Sequence, residues 1–297
     1  MNRNSIGTIT EMNPTAGMWH FSLQKLCDNN PRKVSSVSLD NGCDQLFGVV
    51  NGQLWIPGTH VDNSIMSIHA TDGSHISTLD LSVEIETPRA VTEYQGVTPV
   101  AIIASDTGLF EISLDGSINA KIYDGEFSDV CVVGPTVYAL EYYRNELHAF
   151  HKQNGKWTTE KSISLHDFHA DKSYAHCNTL RIVANFIYVY QYPTPETMLK
   201  YNMDGMLLGK YGDGNYGADA DAGQVWGGRL CGYDNAGSLI VCDNNNKRLQ
   251  VLNADGKWSI TRLNHLGFYP RYAVPMDENT FCILQDGAKV LHFYKME

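Results

Sequence analysis

Charged residues are scarce in this sequence, and basic residues are scarcer than acidic ones. Asp, Glu, Lys and Arg make up 19% of the 297 residues, and 22 basic against 33 acidic side chains give a formal net charge of −11. Proteins that bind nucleic acid without regard to its sequence neutralise phosphates with clusters of Lys and Arg. The composition therefore argues against nucleic acid as a partner.

Long apolar segments are missing as well. No segment reaches the roughly 20 apolar residues that a membrane-spanning helix needs. The stretch from Met1 to Glu11 has no apolar core of the kind found in a signal peptide. We therefore expect no contact with a membrane, and a cytoplasmic protein, or a secreted one if a signal peptide has been removed.

The seven cysteines include no Cys-x-x-Cys pair. Most of them lie inside apolar, strand-like runs, and an odd number cannot all be paired within one chain. Buried free thiols in a reducing compartment are the favoured interpretation, with a disulfide and a catalytic cysteine as alternatives. The fingerprints of nucleotide and dinucleotide binding are also missing, so hydride transfer and phosphoryl transfer from nucleotides are not expected.

What the sequence does contain is a repeat. An Asp-Gly or Asn-Gly pair, typical of type I′ hairpin turns with positive φ at both central residues, occurs at positions 72–73, 115–116, 154–155, 204–205 and 255–256. Each pair follows two short apolar strands, and no long segment has the periodicity of a helix. A repeat of this length, about 40 to 50 residues, is typical of the blades of a β-propeller.

The segment from Tyr211 to Trp258 carries the clearest unit of this repeat. Two short strands flank a polar turn, across which Asp243 and Arg248 can form a charge-assisted hydrogen bond. The residue order resembles the NHL repeat, a four-stranded propeller blade, in Gly212-Asp213-Gly214, Gly223-Gln224-Val225, Asp234-Asn235-Ala236-Gly237 and Arg248-Leu249-Gln250-Val251. The resemblance implies an NHL-like propeller, and the clear match is confined to residues 211–258.

We therefore predict an all-β protein, a six-bladed β-propeller of four-stranded antiparallel blades. The third strand of the sixth blade reaches Tyr294, so its outer strand must come from elsewhere in the chain. The alternating segment Lys33–Leu39 precedes the first inner strand and is predicted to be this closing strand. Residues 1–30 are predicted to form an N-terminal extension that packs on the propeller, and residues 31–297 to form the propeller itself.

Ligand sites in such folds gather on the face where the loops surround the central channel. One side chain near the start of each inner strand is predicted to reach this channel mouth: Asp44, Arg89, Asp129 (or Ser128), His176, Arg229 and Arg271. Guanidinium groups suit carboxylates and phosphates, so the ring predicts a site for a small organic anion. The alternative is that the arginines bridge neighbouring blades through carboxylates.

Other side chains on the same loops complete the candidate site. Tyr142, Tyr190 and His176 are the candidates for proton transfer, the tyrosines only if their pKa is lowered. Both tyrosines could instead pack at the rim. Trp226 and His60 are candidates for covering or contacting a ligand.

Histidines and acids between residues 165 and 177 form a second candidate cluster, with His166, His169 and His176 as runner-up metal ligands. Their spacing matches no closed zinc motif, so no metal site and no organic cofactor are predicted, although a divalent metal remains possible. The acidic loop between Tyr211 and Gly228 is interpreted as a surface loop, with calcium binding as the alternative.

Together these features predict an enzyme or binding protein that acts on a small organic anion at the loop face of the channel. The expected chemistry is that of a lyase, isomerase or hydrolase without an organic cofactor. The alternative is a protein-interaction scaffold with no catalytic activity, because the fold alone does not decide function.

Overall fold

The computed structural model describes residues 18–39, 43, 45–58, 64–81, 84–96, 98–168, 178–191, 196–212, 221–287 and 289–297. Within them the chain forms 25 strands and one short helix, α1 (Gln24–Asp28). The strands make six sheets arranged in a ring, each with four antiparallel strands and one of them with β1 as a fifth, parallel strand, so the predicted six-bladed β-propeller is confirmed. No helix in these ranges has the length and apolar character of a membrane span.

The strands follow one another in chain order, from the inner to the outer edge of each blade. Two strands precede the first blade, β1 (Met18–Trp19) and β2 (Arg32–Ser38). Blades 1 to 3 contain β3 (Gly48–Val50), β4 (Gln53–Pro57), β5 (Ile65–His69), β6 (His75–Asp80), β7 (Pro88–Tyr94), β8 (Val100–Ser105), β9 (Leu109–Ile112), β10 (Ile118–Tyr123), β11 (Phe127–Val133), β12 (Thr136–Glu141), β13 (Glu146–Gln153) and β14 (Lys156–Ser164). Blades 4 to 6 contain β15 (Thr179–Val183), β16 (Phe186–Gln191), β17 (Thr197–Tyr201), β18 (Leu207–Tyr211), β19 (Gly228–Asp234), β20 (Leu239–Asp243), β21 (Arg248–Leu252), β22 (Trp258–Ile260), β23 (Pro270–Pro275), β24 (Thr280–Gln285) and β25 (Val290–Lys295).

Burial follows the position of a strand within its blade. The second strands β8 and β20 are buried along their whole length, because both of their faces are covered by neighbouring blades. The outer strand β10 alternates between half-buried and exposed residues. Apolar side chains fill the spaces between blades, as Trp55 of blade 1 and Phe110 of blade 2 do. The inner strands are therefore held rigidly, and their ends can position side chains accurately.

The repeated turns join the third strand of a blade to its outer strand. Only Asn154-Gly155 has positive φ at both residues, as a type I′ turn requires, so the type I′ prediction is wrong for the other four turns. There the aspartate keeps a negative φ, and in three of the four turns its carboxylate accepts a backbone N–H, as Asp72 Oδ1 does from Ser74 at 2.8 Å. In the turn at 204–205 the acceptor is instead Asn202 Oδ1, which receives the N–H groups of Asp204 and Met206. Aspartate recurs in these turns because its short side chain satisfies the turn's own backbone.

The N-terminal strand closes the ring, as the sequence predicts. Strand β2 pairs antiparallel with β25 and becomes the outer strand of blade 6, with Arg32 opposite Lys295 and Ser38 opposite Val290. This pairing covers an edge of β25 that would otherwise be left open to other strands.

The segment just before β2 lies between blades 5 and 6. Strand β1 runs parallel to the inner strand β19, and the backbone N–H of Leu23 donates to the Asp234 carboxylate at 2.8 Å. The Trp19 ring is fully buried, and its centroid lies 5.2 Å from that of Phe281 in blade 6. Residues 18–28 thus pack on the propeller, and residues 1–17 of the predicted extension lie outside the described residues.

Candidate functional site

Three arginines occupy equivalent positions at one face of the propeller. This loop face carries the loops between second and third strands and the connections between blades. Arg89, Arg229 and Arg271 are each the second residue of an inner strand, in blades 2, 5 and 6. All three therefore lie at the same height along the propeller axis, at the start of their inner strands.

The other predicted positions of the ring are less regular. In blade 3, Phe127 pairs with Glu141 and Asp129 with Leu140, so the residue equivalent to the arginines is Ser128 and Asp129 lies one residue further along. Asp44, His60, His169 and His176 lie outside the described residues.

Arg89 is clamped between blades 2 and 3. Its Nε donates to the carboxylate of Asp106, the residue directly after β8, and its guanidinium carbon lies 4.1 Å from the centroid of the Tyr142 ring in blade 3. Only 7% of the Arg89 side chain is exposed. Its Nη1 is buried and has no hydrogen-bond partner among the described residues. One edge of a fixed guanidinium group thus keeps an unused donor.

Arg271 repeats part of this arrangement in blade 6. Its Nη1 donates to Oδ1 of Asp286 at 2.8 Å, and Asp286 follows β24 as Asp106 follows β8. Asn244 of blade 5 donates to the same carboxylate at 3.2 Å. Each of these two arginines therefore pairs with a carboxylate of its own blade, whereas the alternative interpretation assigned their carboxylate partners to neighbouring blades. An acidic residue directly after a second strand is the sequence signal that identifies these partners.

Arg229 lies beside a buried carboxylate at the boundary of blades 4 and 5. Its Nη1 donates to the carbonyl of Gly228 at 2.9 Å, and the Glu196 carboxylate accepts from the Tyr190 hydroxyl at 3.1 Å. Burial raises the pKa of Glu196, against the influence of its hydrogen-bond donors and Arg229. Burial and Glu196 raise the pKa of Tyr190 well above its ordinary value. A general base needs the opposite shift, so Tyr190 here is a hydrogen-bond donor that holds Glu196.

The side of Arg89 that faces blade 3 is acidic. Burial raises the pKa of Glu126, the nearby carboxylates of Asp106 and Glu141 raise it further, and Arg89 lowers it. Tyr142 is buried, with its ring centroid 4.2 Å from that of the exposed Tyr143. Arg89 therefore combines a cationic group with neighbouring hydrogen-bond acceptors.

Asp243 organises the loops of blade 5. The predicted ion pair with Arg248 is confirmed, with 2.7 Å between Arg248 Nε and Asp243 Oδ2. Asp243 is completely buried and also accepts from Gln250 Nε2 at 2.9 Å and from the Trp226 backbone N–H at 2.8 Å. This network holds the backbone of Trp226, a residue that stays 39% exposed on the loop face.

The middle of the ring is bridged by a buried ion pair that sequence reasoning did not identify. Arg181 of blade 4 donates to Asp129 of blade 3 at 3.0 Å, and its Nη2 donates to the Cys231 carbonyl of blade 5 at 3.2 Å. The hydroxyl of Tyr272 in blade 6 reaches the same carbonyl at 3.4 Å. Asp129 is thus a structural partner of Arg181 across the blades.

Metal-ligating side chains converge at one place in the described ranges, which differs from the runner-up cluster between residues 165 and 177. Glu141, Glu146 and His148 of blade 3 bring their ligand atoms within 4.8 Å of one another. Of the runner-up ligands only His166 is described, and its backbone N–H donates to the Gly205 carbonyl.

Comparisons with known proteins identify the fold. No protein-family model matches the sequence, and no curated protein matches it significantly. Solved structures do match. A protein of unknown function from Bacteroides thetaiotaomicron has a TM-score of 0.63 and 14% identity, over 95% of this chain and 76% of that one. An auxiliary nutrient binding protein from Bacteroides ovatus has a TM-score of 0.63 and 12% identity, over 95% and 76% of the two chains.

Virginiamycin B lyase from Staphylococcus aureus, in a catalytically inactive variant with quinupristin, has a TM-score of 0.56 and 12% identity, over 89% of this chain and 99% of that one. At these identities the similarity establishes the β-propeller fold alone. Membership of the NHL family stays a prediction, carried by residues 211–258.

Proposed function

We propose that this protein binds a small organic anion on the loop face, with Arg89 as the principal anion-binding residue. The observation that carries the proposal is the buried Nη1 of Arg89, which has no partner among the described residues. An unpaired buried donor costs about 1–3 kcal/mol, and an oxygen of a carboxylate or phosphate supplies the missing acceptor. Asp106 and Tyr142 hold the guanidinium in place, so binding orders little additional side chain.

The acidic surroundings of Arg89 select among anions. Asp106, Glu126 and Glu141 would repel a second negative charge close to the guanidinium. They would accept hydrogen bonds from a hydroxyl or ammonium group of the ligand. The preferred ligand is therefore a monoanion with a neighbouring donor, such as a hydroxy acid or an amino acid, rather than a polyanion.

If the ligand is transformed, the reaction class that suits these groups is that of a lyase, isomerase or hydrolase without an organic cofactor. Arg89 would hold the anionic group, and Tyr142 or His176 would transfer the proton. Arg229, Arg271 and Trp226 would contact larger ligands from neighbouring blades. Among the proteins of similar fold, one is a lyase and another binds a nutrient, so both outcomes are compatible with this architecture.

A panel of anions tests the proposal: lactate, malate, glutamate, citrate and phosphate, screened by thermal shift and followed by calorimetry. Arg89→Met should weaken binding of the best ligand by about 2–5 kcal/mol, which is about 30-fold or more, because a buried charged hydrogen bond is lost. Arg32→Met is the matched control, since this arginine is 68% exposed on β2. Unchanged affinity in a folded Arg89→Met protein would reject the role of Arg89.

A protein-interaction scaffold is the second candidate function, and it is favoured by one observation. Three aromatic residues on the loop face are unusually exposed: Tyr143 (42%), Trp226 (39%) and Tyr269 (44%). Exposed aromatic residues commonly anchor protein interfaces. A stoichiometric partner that is lost in a Trp226→Ser/Tyr269→Ser variant, but retained in Arg89→Met, would support the scaffold over the anion-binding protein.

A further inference from the structure

A cluster of three ligand-bearing side chains lies at the loop-face end of blade 3. Glu141 is the last residue of β12, Glu146 is the first of β13, and His148 follows two residues later. His148 Nε2 lies 3.0 Å from Glu141 Oε2 and 3.7 Å from Glu146 Oε2. The side chains of His148 and Glu141 are 4% and 14% exposed, so two of the three groups are largely shielded from water.

The second polar atom of each of two of these groups already has a partner. The Ser162 hydroxyl lies 2.9 Å from His148 Nδ1, and Arg144 Nε lies 3.3 Å from Glu141 Oε1. The remaining atoms, His148 Nε2 and Glu141 Oε2, therefore point at each other and at Glu146. Partners of this kind fix the ring and carboxylate orientations of ligands in metal sites.

We propose that Glu141, Glu146 and His148 bind a divalent first-row transition metal ion. Ligands that lie about 2.1 Å from a metal are about 3.0 Å apart at right angles and about 3.4 Å apart in a tetrahedron. The distances of 3.0 and 3.7 Å from His148 Nε2 to the two carboxylates are close to these values. An ion bound between the three atoms leaves open positions for water or another ligand.

The donor set indicates the class of metal. One imidazole nitrogen and two carboxylate oxygens suit Zn²⁺ or Mn²⁺, whereas Ca²⁺ and Mg²⁺ prefer oxygen alone. Zn²⁺ should bind more tightly than Mn²⁺ at such a site. These residues differ from the histidines between residues 165 and 177, and the metal site shares Glu141 with the acidic surroundings of Arg89.

The competing arrangement has a proton in place of the metal. With a proton on Nε2, His148 donates to Glu141, and the cluster is a buried polar network without an ion. The two arrangements share the contacts of Ser162 and Arg144, so only metal titration and the state of Nε2 distinguish them.

Calorimetry of the full chain with Zn²⁺ tests the site. We expect about one equivalent bound by the wild type and by the control Glu160→Gln, which removes a carboxylate from the neighbouring strand β14. His148→Gln and Glu141→Gln should lose this equivalent. Ser162→Ala should weaken it about 10- to 100-fold, because it removes only the partner that orients the ring. His166→Gln should leave it unchanged.

A second readout keeps the test decisive if His148→Gln does not fold. Bound Mn²⁺ should broaden the NMR signals of the Tyr123 ring, whose centroid lies 5.2 Å from that of His148, more strongly than those of Tyr294 in blade 6, on the opposite side of the ring of six blades. Zinc binding that is equal in His148→Gln and the wild type would overturn the proposal. So would the absence of binding together with a nitrogen-15 shift that shows a proton on Nε2 in the presence of Zn²⁺.

Discussion

The ion pair at the centre of the propeller allows a quantitative prediction. Asp129 and Arg181 are 3.0 Å apart, with 2% and 6% of their side chains exposed. Asp129 also accepts from the backbone N–H groups of Val130 and Leu180, each at 2.7 Å. Burial raises the pKa of Asp129, although Arg181 and these two donors lower it. The desolvation of this carboxylate thus outweighs its favourable partners.

Asp129→Asn tests this balance because it removes the charge and keeps an acceptor oxygen. The substitution leaves the Arg181 guanidinium buried without a counter-charge, which should lower the free energy of unfolding by about 3–5 kcal/mol. Arg181→Met leaves the carboxylate buried and should also be destabilising. The double variant has neither charge, so it should lie within about 1 kcal/mol of the wild type, because replacing both partners of a buried pair is often neutral.

The assay is equilibrium unfolding in guanidinium chloride, followed by tryptophan fluorescence and extrapolated linearly to water. The double-mutant cycle isolates the coupling between the two side chains, which should be at least about 2 kcal/mol. If Asp129→Asn costs less than about 1 kcal/mol, or if the double variant loses the sum of the two single losses, the account of a mutually dependent buried pair is refuted.

Two further predictions concern pH and a turn. Burial and, to a lesser extent, Lys33 lower the pKa of His292 from 6.5 to about 4. Stability should therefore be complete above about pH 6.5 and decline as the pH falls towards 4, and His292→Gln should flatten this dependence; an unchanged slope would contradict the assignment. A Cβ on Gly205 (φ +82°) would lie 2.0 Å from the Ser164 carbonyl oxygen, whereas one on Gly155 (φ +77°) meets nothing within 4 Å. Gly155→Ala should lower the free energy of unfolding by about 1–2 kcal/mol because of its backbone conformation alone, and Gly205→Ala should lower it clearly more. Equal losses of stability in thermal unfolding would contradict a steric clash at Gly205.

The sequence by itself determined the strands and their order. The predicted strands Gln53–Pro57 and Ile65–His69 are found with these same bounds, and the segment Lys33–Leu39 closes blade 6 as β2. These predictions depend on residues close together in the chain, namely apolar runs and turn residues at regular intervals. Short-range chemistry was also enough to predict the pair of Asp243 and Arg248, because both flank a single turn.

Only the tertiary structure decided which partners the site residues have. Counting residues back from the second strand of the blade was enough to place Arg89 on the loop face. Its contact with Tyr142, in contrast, depends on how closely blades 2 and 3 approach each other. The shift in the pKa of Tyr190 depends on burial, which no local pattern reports. Asp129 and Arg181 lie 52 positions apart in different blades, so their pairing arises only when the ring has closed. Strands are set by local alternation and turn chemistry, whereas charge, exposure and hydrogen bonding at a site are set by the surfaces that folding brings together.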